Sequence, residues 1–416
     1  MTRASFLSLA AALVPAATLC LAVAATPARA GDPDQADQIR RGAYQAILGD
    51  CVACHTAPGG APYAGGAPIA TPFGTLVPPN ITPDAATGIG SWSLADFRSA
   101  MKTGIGHDGI RLYPAMPYPS YAKMPDADID DLWAYLTTVK PVSNAVVANQ
   151  LPFPFSIRAA TIGWNLLEFD RTPFTPDPSK SAAWNRGAYL VQGPAHCGAC
   201  HTPKTMFGGD DTAEALTGTS LQGWYAPDIT ADARTGVGSW SSEDLVAYLK
   251  TGTNGRTIAS GPMAEAVAGS TSKMNDADLL AIATYLKDTG RPDRVAATAP
   301  LSATDPTMTR GEAVYRDNCS ACHGGGGEGA KLLFPALAGN RIVTQPDATT
   351  LARVVVAGSQ GVHTDAAPTT PAMPSLGWRL DDPAIADVLT YVRNSWGNAA
   401  RPVSAGSVAA VRATVK

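Results

Sequence analysis

Six cysteines and three histidines carry the chemistry legible in this chain. They fall in three copies of one pattern: Cys51-Val52-Ala53-Cys54-His55, Cys197-Gly198-Ala199-Cys200-His201 and Cys319-Ser320-Ala321-Cys322-His323. Two thiols three residues apart reach the two vinyl groups on one edge of a porphyrin. The adjacent His then lies beneath the iron as its proximal ligand, and C-x-x-C-H is the attachment signature of c-type haem. A thioredoxin-like redox pair would sit in a strand–helix context, and none is visible. Structural zinc would need a second cysteine pair nearby, and these pairs lie far apart. The copies consume every cysteine except Cys20, so no thiol remains for a structural disulfide. The expectation is three covalently bound haem c groups. Cys51, Cys54, Cys197, Cys200, Cys319 and Cys322 attach them, and His55, His201 and His323 bind iron.

The second axial ligand follows from aligning the repeats. Each unit closes on an apolar stripe at helical spacing: Ile129, Leu132, Trp133, Leu136; Leu279, Ile282, Ala283, Leu286; Ile385, Val388, Leu389, Val392. Acidic starts at Asp126, Asp276 and Asp381 suit helix N-termini. Met124 and Met274 lie five residues before their stripes, where unit three has Leu380. A ligand position cannot be filled by Leu, so these two are expected to pack the core. Met116, Met263 and Met373 lie 13, 16 and 12 residues before their stripes, in Pro-containing loops, and are the expected distal ligands. Met/His ligation raises the potential and leaves no open iron position, which favours electron transfer over catalysis at the haem. His107, His196 and His363 have no counterpart across the units and are expected to be exposed or locally bonded. Trp92 and Trp240 read as packing residues beside the haem pockets. Gly324 to Gly327 lacks the Lys-Ser/Thr of a phosphate loop.

Short helical segments precede the haem motifs, at Gly42-Ala43-Tyr44, Gly187-Ala188-Tyr189 and Gly311-Glu312-Ala313. Units one and two also share a middle segment. Asn80-Ile81-Thr82 through Gly88-Ile89-Gly90-Ser91-Trp92 matches Asp228-Ile229-Thr230 through Gly236-Val237-Gly238-Ser239-Trp240. The expected organisation is a signal peptide at 1–30, domains at 34–149, 181–293 and 308–398, a connector at 150–180, a linker at 294–307 and a tail at 399–416. Within the connector, Ile157 to Phe169 is aromatic and apolar, suited to packing across domains or facing a partner.

The 416 residues are 45% hydrophobic and 16% charged, ample for packed cores. A net charge of −4 with no basic patch speaks against a nucleic-acid partner. Arg3, the apolar run Ala4 to Ala25 and the small-x-small site Ala28-Arg29-Ala30 predict export, cleavage before Gly31 and loss of Cys20. No later segment reaches the length of a membrane span.

These residues resemble the triple-haem cytochrome c subunit of membrane-associated periplasmic dehydrogenases, of the quinoprotein alcohol dehydrogenase and flavin-dependent gluconate 2-dehydrogenase type. The stretches that carry the resemblance include Arg111-Leu112-Tyr113-Pro114-Ala115-Met116-Pro117-Tyr118-Pro119-Ser120-Tyr121, Ala183-Trp184-Asn185-Arg186-Gly187-Ala188-Tyr189, Gly223-Trp224-Tyr225-Ala226-Pro227-Asp228, Ser260-Gly261-Pro262-Met263 and Asn394-Ser395-Trp396-Gly397-Asn398. It covers about Gln38 to Asn398. The resemblance implies an all-α chain of three tandem class I cytochrome c domains with long Pro/Gly-rich loops. It implies a large flavin- or PQQ-dependent dehydrogenase subunit as partner, with a small chaperone-like subunit in some complexes. It further implies ubiquinone or a terminal oxidase as acceptor, and a place on the periplasmic face of the membrane. Similar subunits serve molybdenum-containing aldehyde and hydroxylating dehydrogenases. A free-standing electron carrier and a haem enzyme such as a peroxidase are the competing functions. Some relatives carry a C-terminal amphipathic helix that docks on the membrane, whereas Val403 to Lys416 is short and weakly patterned.

Overall fold

A computed structural model of the chain describes Met1, residues 33–290 and residues 298–415. The expected signal peptide, Cys20 and part of the 294–307 linker lie outside the described residues. Each unit is built on an opening and a closing helix that pack across each other. The opening helices are Pro33–Leu48, Ala182–Gln192 and Pro306–Asn318; the closing ones are Asp126–Leu136, Asp276–Leu286 and Asp382–Asn394. Ser181, Asn275, Asp305 and Asp381 cap their helices by accepting from backbone N–H groups in the first turn. The closing stripes face inward, with Ile129, Leu279 and Ile385 fully buried.

One glycine sets each crossing. A Cβ on Gly42 would lie 1.8 Å from the Asp131 carbonyl oxygen, one on Gly187 1.9 Å from that of Ala281, and one on Gly311 2.2 Å from that of Asp387. Only a residue without a side chain lets the two backbones approach this closely. The arginine preceding each glycine pairs with a carboxylate on the closing helix: Arg41 with Asp131, Arg186 with Asp278 and Arg310 with Asp387.

A third helix completes each unit, at Leu94–Thr103, Ser242–Thr251 and Thr349–Ala357. The first two open on full capping boxes, Ser93 with Asp96 and Ser241 with Asp244, and stop at the left-handed Gly104 and Gly252. The chain is therefore largely helical, but the expected all-α class needs qualification. Antiparallel hairpins join Ile69–Thr71 to Gly74–Leu76, Thr219–Leu221 to Trp224–Ala226 and Ser359–Gln360 to Ala372–Met373. Long loops must pair their backbone groups somewhere, and short hairpins do so here. The second is closed by Gln222 and Gly223, both at positive φ, as a two-residue hairpin turn requires.

Buried residues of units one and two form one continuous core, while unit three has its own. The first two units meet reciprocally. The Tyr44 hydroxyl donates to Asp278 at 2.7 Å, and the Tyr189 hydroxyl donates to Asp128. The two tyrosines are equivalent in the repeat, as are the two aspartates, so the pair is related by a pseudo-two-fold axis. Unit three has Ala313 at this position and docks differently. Gln345 donates to the Thr235 carbonyl at 2.8 Å, and the Arg341 guanidinium stacks 4.6 Å from the Trp240 ring centroid. The tail is not a loose end: Ala405–Thr414 is a helix with Val408 and Val411 buried, and Arg412 pairs with Asp382.

Candidate haem-attachment sites

Each C-x-x-C-H motif forms a helical turn directly after its opening helix. The turn is closed by the His55 N–H on the Cys51 carbonyl, His201 on Cys197 and His323 on Cys319. The imidazoles are held in one way. Nδ1 of His55 lies 2.7 Å from the Pro79 carbonyl oxygen, that of His201 2.7 Å from Pro227, and that of His323 2.9 Å from Pro335. A carbonyl only accepts, so Nδ1 carries the proton and the Nε2 lone pair is left for a metal. Burial lowers the His55 and His201 pKa values, which keeps both rings neutral.

A glycine brings each proline carbonyl back to its histidine. Gly65, Gly218 and Gly329 all sit at positive φ and donate their N–H to the carbonyl of His55, His201 and His323. A Cβ there would strike the proline segment, at 2.5 Å from the Pro79 carbonyl carbon and 2.8 Å from that of Pro335. The sequence reading missed these prolines and glycines. The signal was present in units one and two, where Pro79 and Pro227 directly precede the repeated Asn80-Ile81-Thr82 and Asp228-Ile229-Thr230 segment.

The six cysteines are unpaired. Desolvation pushes the Cys51 and Cys197 thiols up to about 12, so each is held as a neutral thiol in an apolar setting. Such thiols suit a thioether link to a porphyrin edge better than a thiolate zinc site or a redox pair. Among the described residues no cluster of three or more His, Cys, Asp or Glu could hold a metal ion by itself. A His with Nδ1 on a proline carbonyl and its Nε2 free, beside two unpaired thiols, fits haem c in all three copies.

The five methionines separate by burial. Met124 and Met274 are 1% and 0% exposed inside the shared core, and Lys102 and Lys250 donate to their backbone carbonyls. Met116, Met263 and Met373 are half-buried. Only Met116 lies in a turn as expected; Met263 sits in the first turn of the helix Pro262–Gly269, and Met373 in a hairpin strand. Among the other histidines, His107 contacts Asp96 at 3.1 Å and His363 contacts the Pro368 carbonyl at 3.0 Å. His196 reaches further, crossing to unit one with Nε2 3.2 Å from the Gly49 carbonyl oxygen. The residues just before the first two attachment turns therefore meet at the junction of units one and two.

A helix pair carrying a C-x-x-C-H turn, with its histidine fixed by a proline carbonyl, defines a c-type cytochrome. The cytochrome c family model matches residues 39–140 and 308–396. Relatives match across more than nine-tenths of the chain. The gluconate 2-dehydrogenase cytochrome c subunit of Pantoea cypripedii is 41% identical over 91% of this chain and 91% of its own length. The cytochrome c subunit of the quinone-dependent alcohol dehydrogenase of Gluconobacter oxydans (strain 621H) is 40% identical, covering 95% of this chain and 86% of that one. The fructose dehydrogenase cytochrome subunit of Gluconobacter japonicus is 39% identical, covering 93% and 84%. This chain belongs to the family of dehydrogenase cytochrome c subunits and is an electron-transfer protein that carries covalently bound haem c.

Proposed function

We propose that the chain is the three-haem electron-transfer subunit of a periplasmic, membrane-associated dehydrogenase. In this reading 34–149, 181–293 and 308–398 are three cytochrome c domains. Cys51 and Cys54, Cys197 and Cys200, and Cys319 and Cys322 attach one haem each. His55 with Met116, His201 with Met263 and His323 with Met373 are the axial pairs. Bound haem c supplies a one-electron iron centre, and a His/Met pair raises its potential and closes both axial positions. The chain accepts electrons from a catalytic subunit holding flavin or pyrroloquinoline quinone and delivers them to ubiquinone or the respiratory chain. The observation that carries this reading is the threefold repetition of a His held through Nδ1 by a proline carbonyl beside two unpaired thiols. The half-buried state of Met116, Met263 and Met373, against the full burial of Met124 and Met274, supports the axial set.

The test is co-purification from the native membrane fraction, followed by rapid mixing with the substrate of whatever dehydrogenase accompanies the chain. A stoichiometric large subunit that reduces the haems supports the proposal. A chain that purifies alone, and is reduced by no dehydrogenase, points to a free-standing carrier. Carbon monoxide binding to the reduced, unperturbed protein at neutral pH points to a haem enzyme with an open iron position.

A further inference from the structure

Arg341 is a buried cation with its donors unspent. It is 9% exposed, and among the described residues neither its Nε nor its Nη1 has a hydrogen-bond partner. Arg393, also buried in unit three, shows the ordinary state: its Nε and both terminal nitrogens donate to the carbonyls of Arg401, Val343 and Gln345. A buried charge left without bonds is costly. Asp228 and Asp232 favour the charge on Arg341 but bond neither nitrogen, and burial draws the guanidinium down to about 10. A guanidinium held in this state is a receptor for an anion, and its planar donors match a carboxylate or a phosphate.

The surroundings of Arg341 say which anion. Its guanidinium stacks on Trp240 of unit two, and Trp240 ends a segment that begins at Pro227, whose carbonyl holds His201. The Trp240 ring meets Tyr248 at 5.6 Å, and Tyr248 and Met263 pack on one cluster. Arg341 therefore lies on a wall that joins the His201 side of the second site to its Met263 side. Gln345 seats unit three on the same segment through the Thr235 carbonyl, and the Thr235 hydroxyl donates to Asp228, the neighbour of Pro227. Unit one completes the matching wall from within. There His107, three residues after the helix-ending Gly104, stacks on Trp92 at 6.1 Å. The same step from Gly252 reaches Gly255, which has no side chain to offer, and unit two borrows from unit three instead. Cys197 and Cys200 take the vinyl edge of a porphyrin, so its two carboxylates lie at the edge away from the attachment turn. We infer that Arg341 is a unit-three residue built into the second haem site, where it holds a propionate carboxylate of the haem attached at Cys197 and Cys200. The inference rests on the three-haem reading and adds to that site a residue from another unit. A cation here favours ferrous over ferric iron, because the reduced centre carries one positive charge fewer, so Arg341 raises the potential of the second haem. It also ties that site to the third, because Pro335, whose carbonyl holds His323, lies six residues before Arg341.

Spectroelectrochemical titration of the haem-loaded full chain tests it. In Arg341→Gln one redox component should fall by about tenfold in its one-electron equilibrium constant, or about 59 mV. It should be the component that Met263→Ala displaces. Arg341→Lys keeps the charge and should recover most of the fall, while the resonance Raman band of the propionates shifts in both variants because the donor geometry has changed. Arg353→Gln removes a partly exposed unit-three arginine that stacks on Trp224 at 5.0 Å, and it should move no component as far. If the anion were free phosphate, the wild-type potential would follow added phosphate at constant ionic strength; with a propionate it stays fixed. Circular dichroism and the masses of the haem peptides show that each variant is folded and loaded. The inference is overturned if the Raman band of both Arg341 variants matches the wild type, or if no component falls in Arg341→Gln. It is equally overturned if Arg353→Gln has the same effect, if the falling component is not the one Met263→Ala displaces, or if phosphate governs the wild-type potential. A wild type with no haem on the Cys197–Cys200 peptide would instead fault the three-haem reading, which the mass increment shows before any potential is measured.

Discussion

Truncating Met263 and Met274 one at a time separates a ligand from a packing residue within the same unit. Met274 is 0% exposed in the core shared with unit one. Replacing a fully buried Met by Ala removes its transfer free energy and leaves a cavity, a loss of about 2–5 kcal/mol. The Lys250 bond to its backbone carbonyl survives, so the loss is one of packing. Met263 is half-buried on the helix Pro262–Gly269, and its truncation costs roughly 1–2 kcal/mol because less apolar surface leaves water. Its spectral effect is the opposite. Without the sulfur the second haem becomes high-spin and its potential falls. Denaturant unfolding followed by far-ultraviolet circular dichroism gives the first quantity. The sulfur-to-iron charge-transfer band in the red gives the second, as a fractional loss from three haems. Met274→Ala should be the less stable variant with the full band, and Met263→Ala the more stable variant with a diminished one. A diminished band in Met274→Ala with an intact one in Met263→Ala would refute the assignment and the reasoning from burial behind it.

Other expectations follow from the same contacts. Gly187→Ala should destabilise, because a Cβ 1.9 Å from the Ala281 carbonyl oxygen forces the helices apart. Overpacking typically costs about 1–3 kcal/mol and exceeds the helix-propensity gain of ~1 kcal/mol from Ala, so a stabilised variant in urea titration would contradict the crossing. Asp50 lies at the junction of units one and two with its Oδ1 buried and unpartnered, and desolvation raises its carboxyl to about 7. The folded state therefore holds a proton that the unfolded state has lost above its own, lower pKa. Stability should fall as pH rises from about 4 to about 7 and stay low beyond. Asp50→Asn keeps a side chain that tolerates the left-handed φ of 46° and should abolish that decline, which urea midpoints across pH will show. Tyr44→Phe removes the hydroxyl that donates to Asp278 and should cost about 1 kcal/mol, with haem spectra unchanged. An altered spectrum would mean that the junction also shapes a haem pocket.

The haem motifs and the three closing helices were legible because both signals are local. Cysteine spacing and a 3.6-residue stripe need no knowledge of distant contacts, and the stripes proved buried at Ile129, Leu279 and Ile385. Alignment on those stripes also foresaw that Met124 and Met274 are core residues. What stayed hidden depends on long-range geometry. The partner of His55 is 24 residues away, and nothing at Pro79 alone says that its carbonyl will turn toward an imidazole. The repeated Arg-Gly pairs at 41–42, 186–187 and 310–311 were visible as letters, but their purpose lies in a crossing with a helix roughly 75–95 residues downstream. The short hairpins, too, were read as plain loops. Their strands are two or three residues long, too short for an alternating pattern to register. The tail was underestimated because Val408 and Val411 bury only against unit three.

The central claim is that one chain holds three covalently attached haem groups at three equivalent turns. Intact-mass analysis of the purified chain, with peptide mapping after digestion, tests it directly. The account predicts a mass increment of three haems, one on each peptide that contains Cys51 and Cys54, Cys197 and Cys200, or Cys319 and Cys322. A smaller increment, or free thiols at any of those pairs, would contradict it.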